Sequence, residues 1–251
     1  MAVTAVAAPL TILQRAEGSG AYLVIPEGWR AGQIYVAVDK ALRLPPGSTK
    51  KSLAKAHLQL PRAAQGNPEG YLFPATYPID DEATPESLLR YMVHTANKRF
   101  SGVAVAAGAQ RHAMSGYQAV TVASIVQAEA VTPADMRKVA RVVFNRLERG
   151  MPLQMDSTLN YAMKRFTLNT TIADTNIDSL YNSYQRMGLP PTPIANPGEE
   201  AMRAVLNPTP GDWLYFVTVK PGDTRFTGSY EEQQRNVSEF NRLRGSASPS
   251  K

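Results

Sequence analysis

The period of apolar and polar positions changes several times along this chain, and each change marks an element. Ala21–Ile25 (AYLVI) is a continuous apolar run ended by Pro26-Glu27-Gly28, which predicts a short strand. Within Trp29–Leu42, Ile34, Val38 and Leu42 recur every fourth residue, the spacing of one helix face. Pro45-Pro46-Gly47 breaks that helix, and Ser48–Leu58 predicts another short one. Pro61–Pro68 (PRAAQGNP) reads as a linker, with a boundary near residue 67.

Beyond it the helix signals are stronger. Thr84 precedes Pro85, and proline is well tolerated at a first helical position. Leu88, Leu89, Met92, Val93, Ala96 and Phe100 then form an apolar stripe. Ser115-Gly116-Tyr117-Gln118 is a capping box opening a helix to about Ala130. Thr132-Pro133-Ala134-Asp135 starts the next, with Met136, Val139, Ala140, Val143 and Leu147 as its stripe and Gly150 as its stop. Loop-rich sequence follows, including the rigid stretch Leu189–Pro197 (LPPTPIANP). Glu199–Leu206 predicts a short helix. Trp213–Val219 (WLYFVTV) is the strongest strand, pairing with Thr224–Thr227 across Pro221-Gly222-Asp223, and Tyr230–Arg244 closes as a helix. The expected class is α+β and helix-rich.

Composition narrows the chemistry. The 251 residues contain no cysteine, which excludes disulfides, thiol nucleophiles and cysteine-ligated zinc. The histidines at 57, 94 and 112 lack ligand spacing, so neither a metal nor a cofactor is expected. No run of 18 apolar residues is present, and Met1–Leu13 lacks the basic start of a signal peptide. Of the net charge of +6, +5 falls within residues 1–68. That excess suits an anionic partner or a solvated basic face, and no nucleic-acid motif accompanies it.

Glu129 stands out because it follows Val122, Ile125 and Val126 by seven, four and three residues, placing it on their apolar face. Two readings remain open from the pattern. The side chain escapes to solvent or an arginine at the helix end, or it is buried. Burial and the helix C-terminus would both raise its pKa, leaving a protonated carboxyl able to act as a general acid. Other polar groups collect at Gln154, Asp156, Ser157 and Thr158, and at Tyr181, Asn182, Ser183 and Tyr184. Glu69–Tyr77 (EGYLFPATY) packs aromatics around glycine and proline. Aromatic and amide groups together suit sugar rings; ordinary loop packing is the plainer alternative.

Five segments in order carry a resemblance. They are Glu69–Tyr77, Ala123–Ala130 (ASIVQAEA), Val142–Ala162 (VVFNRLERGMPLQMDSTLNYA), Tyr181–Gly198 (YNSYQRMGLPPTPIANPG) and Asn207–Val217 (NPTPGDWLYFV). Together they resemble the YceG-like family of endolytic murein transglycosylases over roughly residues 20–240. The resemblance implies a partial LysM-like α/β subdomain over 1–66 and a catalytic domain over 67–244; the small, polar tail 245–251 (GSASPSK) is expected to be disordered. It implies work at the extracytoplasmic face of the membrane, through an anchor this chain lacks. The implied substrate is the peptidoglycan glycan strand, with cell-wall synthesis proteins as further partners and no nucleic acid. The implied reaction cuts between N-acetylmuramic acid and N-acetylglucosamine and leaves a 1,6-anhydro end.

The family's catalytic glutamate falls on Glu129. Glu69, Gln154, Asp156, Thr158, Tyr181, Asn182 and Tyr184 are the expected substrate contacts. Some relatives carry Glu at Gln127, a common proline is Ser157 here, Arg225 stands where relatives have His, and Gln233-Gln234 replaces His-Asn. A muramidase-type hydrolase and a non-catalytic glycan-binding scaffold are the alternatives.

Overall fold

The computed structural model describes residues 13–15, 21–100, 103–166 and 170–246. The elements run β1 (Leu13–Arg15), β2 (Ala21–Val24), α1 (Ala31–Ala41), α2 (Ser48–Ala56), β3 (Thr76–Ile79), α3 (Pro85–Phe100), α4 (Val103–Arg111), α5 (Gly116–Glu129), α6 (Pro133–Glu148), α7 (Asp156–Ala162), α8 (Glu199–Leu206), β4 (Tyr215–Lys220), β5 (Asp223–Thr227) and α9 (Tyr230–Ser246). Short 3-10 turns cover Arg62–Ala64 and Ala173–Asn176. The protein is α+β and helix-rich, with one three-stranded and one two-stranded antiparallel sheet among the described residues.

The capping signals operate as read. Ser115 Oγ accepts from the Gln118 N–H at 3.2 Å, while Gln118 Oε1 accepts from the Ser115 N–H at 2.9 Å. Thr132 Oγ1 accepts from the Asp135 N–H at 3.1 Å, and Thr84 Oγ1 from the Ser87 N–H at 3.1 Å. Each bond satisfies a donor that a helix start would otherwise leave unpaired.

The connection from α5 to α6 needs only Ala130–Thr132, and α8 packs against both helices. The expected stripe on α5 is too narrow. Past the exposed Gln118 of its first turn, the helix is buried on nearly every side from Ala119 through Val126, with Gln127 and Ala128 partly open near its end. It is the central rod of the core, as expected of a helix apolar all round. Gly108 of α4 makes one close crossing possible, since a Cβ there would stand 2.7 Å from Leu206 Cδ2.

Four elements went unread, the first being β1, a strand of three residues. β3 contains Pro78, yet it is the outer strand of the β1–β2–β3 sheet, where a missing N–H is tolerated. α4 is alanine-rich and carries no clear stripe. α7 has seven residues and begins after Met155, whose side chain makes no cap. The Pro61–Pro68 stretch holds buried Ala64 and Pro68, and β2 pairs with β3 across the residue-67 boundary, Leu23 opposite Tyr77. α9 extends two residues past the expected Arg244, to Ser246, while 247–251 of the expected disordered tail lie outside the described residues.

Candidate active site

α5 ends on Glu129, and the chain leaves in extended conformation at Ala130. The carboxyl is 7% exposed and has no ion pair among the described residues, so the escape to solvent or arginine does not occur. Its Oε1 accepts from the Ser157 backbone N–H at 3.3 Å, at the start of α7. The Ser157 hydroxyl is buried and finds no partner of good geometry. Burial pushes the Glu129 pKa up to about 7, and the neighbouring Asp156 charge adds to it against the lowering by Ser157 hydrogen bonding. A carboxyl of this kind keeps a substantial protonated fraction at neutral pH and can give its proton up without a large penalty.

Asp156 is the first residue of α7 and is also buried. Its Oδ1 accepts from the Tyr184 hydroxyl at 2.6 Å. Desolvation raises the Asp156 pKa, and the Tyr184 bond opposes it. The Tyr184 phenol is itself raised, by burial and by the Asp156 charge. Glu129, Asp156 and Tyr184 therefore form one electrostatically coupled group built from α5, α7 and the loop before Leu189.

The remaining expected contacts divide by exposure. Gln154 is exposed, with φ +52°, and its Oε1 accepts from Arg146 at 3.0 Å. Tyr181 is half-buried, its ring centroid 5.0 Å from that of Tyr161 and its hydroxyl 2.8 Å from Thr192 Oγ1. Thr158 and Asn182 have almost no surface to offer a ligand. Thr158 is 0% exposed and donates to Met155 O at 2.7 Å. Asn182 Nδ2 donates to the Thr175 and Ile177 carbonyls at 3.0 and 2.8 Å. Both hold the wall from behind.

Glu69 belongs to a second cluster. It is 4% exposed, and its Oε1 accepts from the Ala31 N–H at 2.9 Å and from Asn196 Nδ2 at 3.0 Å. Its Oε2 accepts from the Tyr161 hydroxyl at 3.2 Å. The carboxylate thus caps α1 from 38 residues away. Burial lifts its pKa to about 7, while those donors and the nearby Arg30 pull it down. Gly70, at φ +86°, lies so close to Pro193 that a Cβ would stand 2.5 Å from its Cγ. Asn196, fully buried, also accepts from the Leu72 N–H and donates to the Trp29 carbonyl. Reading by residue type missed Asn196 because it lies in a proline-rich loop. It missed Arg146 because an arginine on a helix normally faces water.

The departures from family pattern are occupied locally. Arg225 pairs with Asp223 and with Glu239, whose Oε2 is 2.8 Å away. Gln233 Nε2 donates to the Phe216 carbonyl at 3.1 Å. Gln127 Oε1 accepts from the Gly198 N–H at 3.0 Å. A cavity of about 460 Å³ opens toward the other end of α5, beside His112, Met114, Tyr117 and Pro190, and none of the expected site residues lines it.

A buried glutamate with a raised pKa at the end of the central helix of an α+β protein is suited to proton transfer. Residues 2–239 match the YceG-like family, and the chain belongs to that family. It is 38% identical over 168 residues to the endolytic murein transglycosylase of Bacillus subtilis, covering 66% of this chain and 46% of the relative. It is 37% identical over 177 residues to that of Streptococcus pneumoniae serotype 2, covering 68% of this chain and 32% of the relative. The chain therefore spans less than half the length of these curated relatives. The crystal structure of a putative YceG-like protein from Listeria monocytogenes superposes with a TM-score of 0.74 at 30% identity, over 86% of this chain and 75% of the other.

Proposed function

We propose that this chain is an endolytic lytic transglycosylase acting on peptidoglycan glycan strands. Family membership and the names of the relatives support the reaction class. The observation that carries the mechanism is Glu129, buried, raised to about 7 and met by a backbone N–H at 3.3 Å. Protonated Glu129 donates to the glycosidic oxygen between N-acetylmuramic acid and N-acetylglucosamine as the C1–O bond breaks. The muramic C6 hydroxyl then attacks C1 of the same ring, and the Glu129 carboxylate takes its proton. The glutamate ends protonated, and the product carries a 1,6-anhydro ring. Attack within one ring has a large effective-molarity advantage and needs no placed water.

Gln154, Tyr181 and Tyr184 are the surface groups proposed to touch sugar; Glu69, Thr158 and Asn182 hold them in place. Residues 1–66 are proposed as the LysM-like part and 67–244 as the catalytic part, working outside the membrane. No helix among the described residues is long and apolar enough to cross one.

Asp156 beside Glu129 favours a second reading, hydrolysis with Asp156 as the other carboxylate. Its oxygen is already held by the Tyr184 hydroxyl, which weighs against it. Digestion of purified glycan strands followed by mass spectrometry separates the two. Anhydro ends support the lytic reaction, and reducing ends heavier by one water support hydrolysis. Tight strand binding with no product supports a scaffold.

A further inference from the structure

Arg146, near the end of α6, is 5% exposed, yet among the described residues its hydrogen bonds all go to uncharged oxygens. Its Nε donates to the Leu214 carbonyl at 2.7 Å. Its Nη1 faces the carbonyls of Pro152 and Leu153 at 2.9 and 3.0 Å and Gln154 Oε1 at 3.0 Å. The guanidinium carbon lies 5.1 Å from the centroid of the Tyr215 ring. Burying a cation without a counter-charge is unfavourable, and apolar side chains of similar size could fill the space. What only the rigid fork of arginine supplies is several donors fixed in one plane.

The Nη1 contacts all fall on one turn, while Nε anchors the same plane to Leu214 just before β4. Residues 152–154 lead directly into Met155, Asp156 and Ser157, and Ser157 donates to Glu129. Gln154 sits at φ +52°, uncommon for a residue with a Cβ, so the turn does not hold that shape by local preference. Ser183 grips the same turn from the far side, its carbonyl accepting from the Gln154 N–H and its hydroxyl from the Met155 N–H, each at 2.9 Å.

We propose that Arg146 is a positioning residue for the Glu129 site. Its fork ties the 152–154 turn to Leu214 and thereby sets where α7 starts, which fixes Asp156 and the Ser157 N–H relative to the Glu129 carboxyl. The proposal rests on Glu129 as the proton donor. Small misplacements of reacting groups slow a reaction far more than they weaken binding.

The test uses the full chain and soluble, uncross-linked glycan strands, with kcat and KM resolved separately and unfolding followed in urea. Arg146→Lys keeps the charge and loses the fork. It is expected to lower kcat at least tenfold with KM within twofold. Gln154→Gly removes the Oε1 acceptor and relieves the positive φ, so it is expected to be no less stable than the wild type while losing kcat by severalfold. Lowered stability with kcat intact in the folded fraction overturns the proposal, as does a raised KM with kcat intact.

Should Arg146→Lys fail to fold, the substrate-free titration of Glu129 in Gln154→Gly decides, because Gln154 is also a proposed sugar contact and its kinetics would mix the two roles. If the wild type yields no anhydro ends, the reading of Glu129 fails, and the clamp is still read without substrate. The Glu129 carboxyl, labelled with ¹³C and faced by Asp156, Ser157 and Tyr184, should shift its titration midpoint by half a pH unit or more in Gln154→Gly. An unchanged midpoint overturns the clamp.

Discussion

Glu129 and Glu69 are both buried, and in both desolvation pushes the carboxyl up to about 7. Their surroundings differ. Glu69 receives the Ala31 N–H, the Asn196 amide and the Tyr161 hydroxyl, and Arg30 lies nearby. Glu129 receives the Ser157 N–H at a long 3.3 Å and has a second carboxylate, Asp156, as its neighbour. Burial alone therefore does not separate a reactive acid from a structural one. The count of donors and the sign of the nearest charge do. Glu69 ties α1, the EGY segment, α7 and the Asn196 loop together, whereas Glu129 has bonding capacity to spare for an incoming oxygen.

The sharpest way to break this contrast is Glu129→Gln. Without a transferable proton, formation of anhydro ends should fall by about 10²- to 10⁴-fold, with the urea midpoint at neutral pH no lower than in the wild type. A comparable loss of rate from Glu69→Gln, at intact stability, would erase the distinction. Glu69→Ala should act on the fold. It strands buried donors at Ala31, Asn196 and Tyr161, which predicts a loss of about 2–4 kcal/mol in urea unfolding.

Both carboxyls have folded values above the ordinary 4.5, so the native state binds more protons than the unfolded chain between about 4.5 and 7. Stability should therefore fall as pH rises through that window, by up to about 1.4 kcal/mol per pH unit for each group, and level off above it. Urea unfolding at a series of pH values measures the slope, and Glu69→Gln should remove about half of it. Activity should decline above about pH 7 as the proton leaves Glu129. Tyr184→Phe is the mildest change. Losing the hydroxyl on Asp156 should cost about 1 kcal/mol or less in stability and lower the rate severalfold.

Caps and periodicity made much of the fold legible. Ser115, Thr132 and Thr84 announced helix starts because capping is a local bond between residues three apart. Glu199–Leu206 and the β4–β5 hairpin were read from pattern and turn residues in the same way. α7 and β3 escaped because seven uncapped residues, and four residues containing a proline, carry little local signal. Glu129 was singled out by its spacing from Val122, Ile125 and Val126, although α5 proved to be enclosed on nearly all sides. Thr158 and Asn182 were chosen for their chemistry and lie behind the wall, since residue type says nothing about which way a loop turns.

The sequence by itself determined the helix-rich α+β class, the absence of thiol chemistry, the family and the carboxyl that stands out on the central helix. The class and the carboxyl follow from spacing, the exclusion of thiols from composition, and the family from five ordered motifs, all properties of the chain. The tertiary structure decided the rest. Glu69 became a hub, Asp156 acquired Tyr184, and Arg146 turned inward to hold the turn before α7. Each of those contacts joins segments distant in sequence or depends on desolvation, and neither has a local signature.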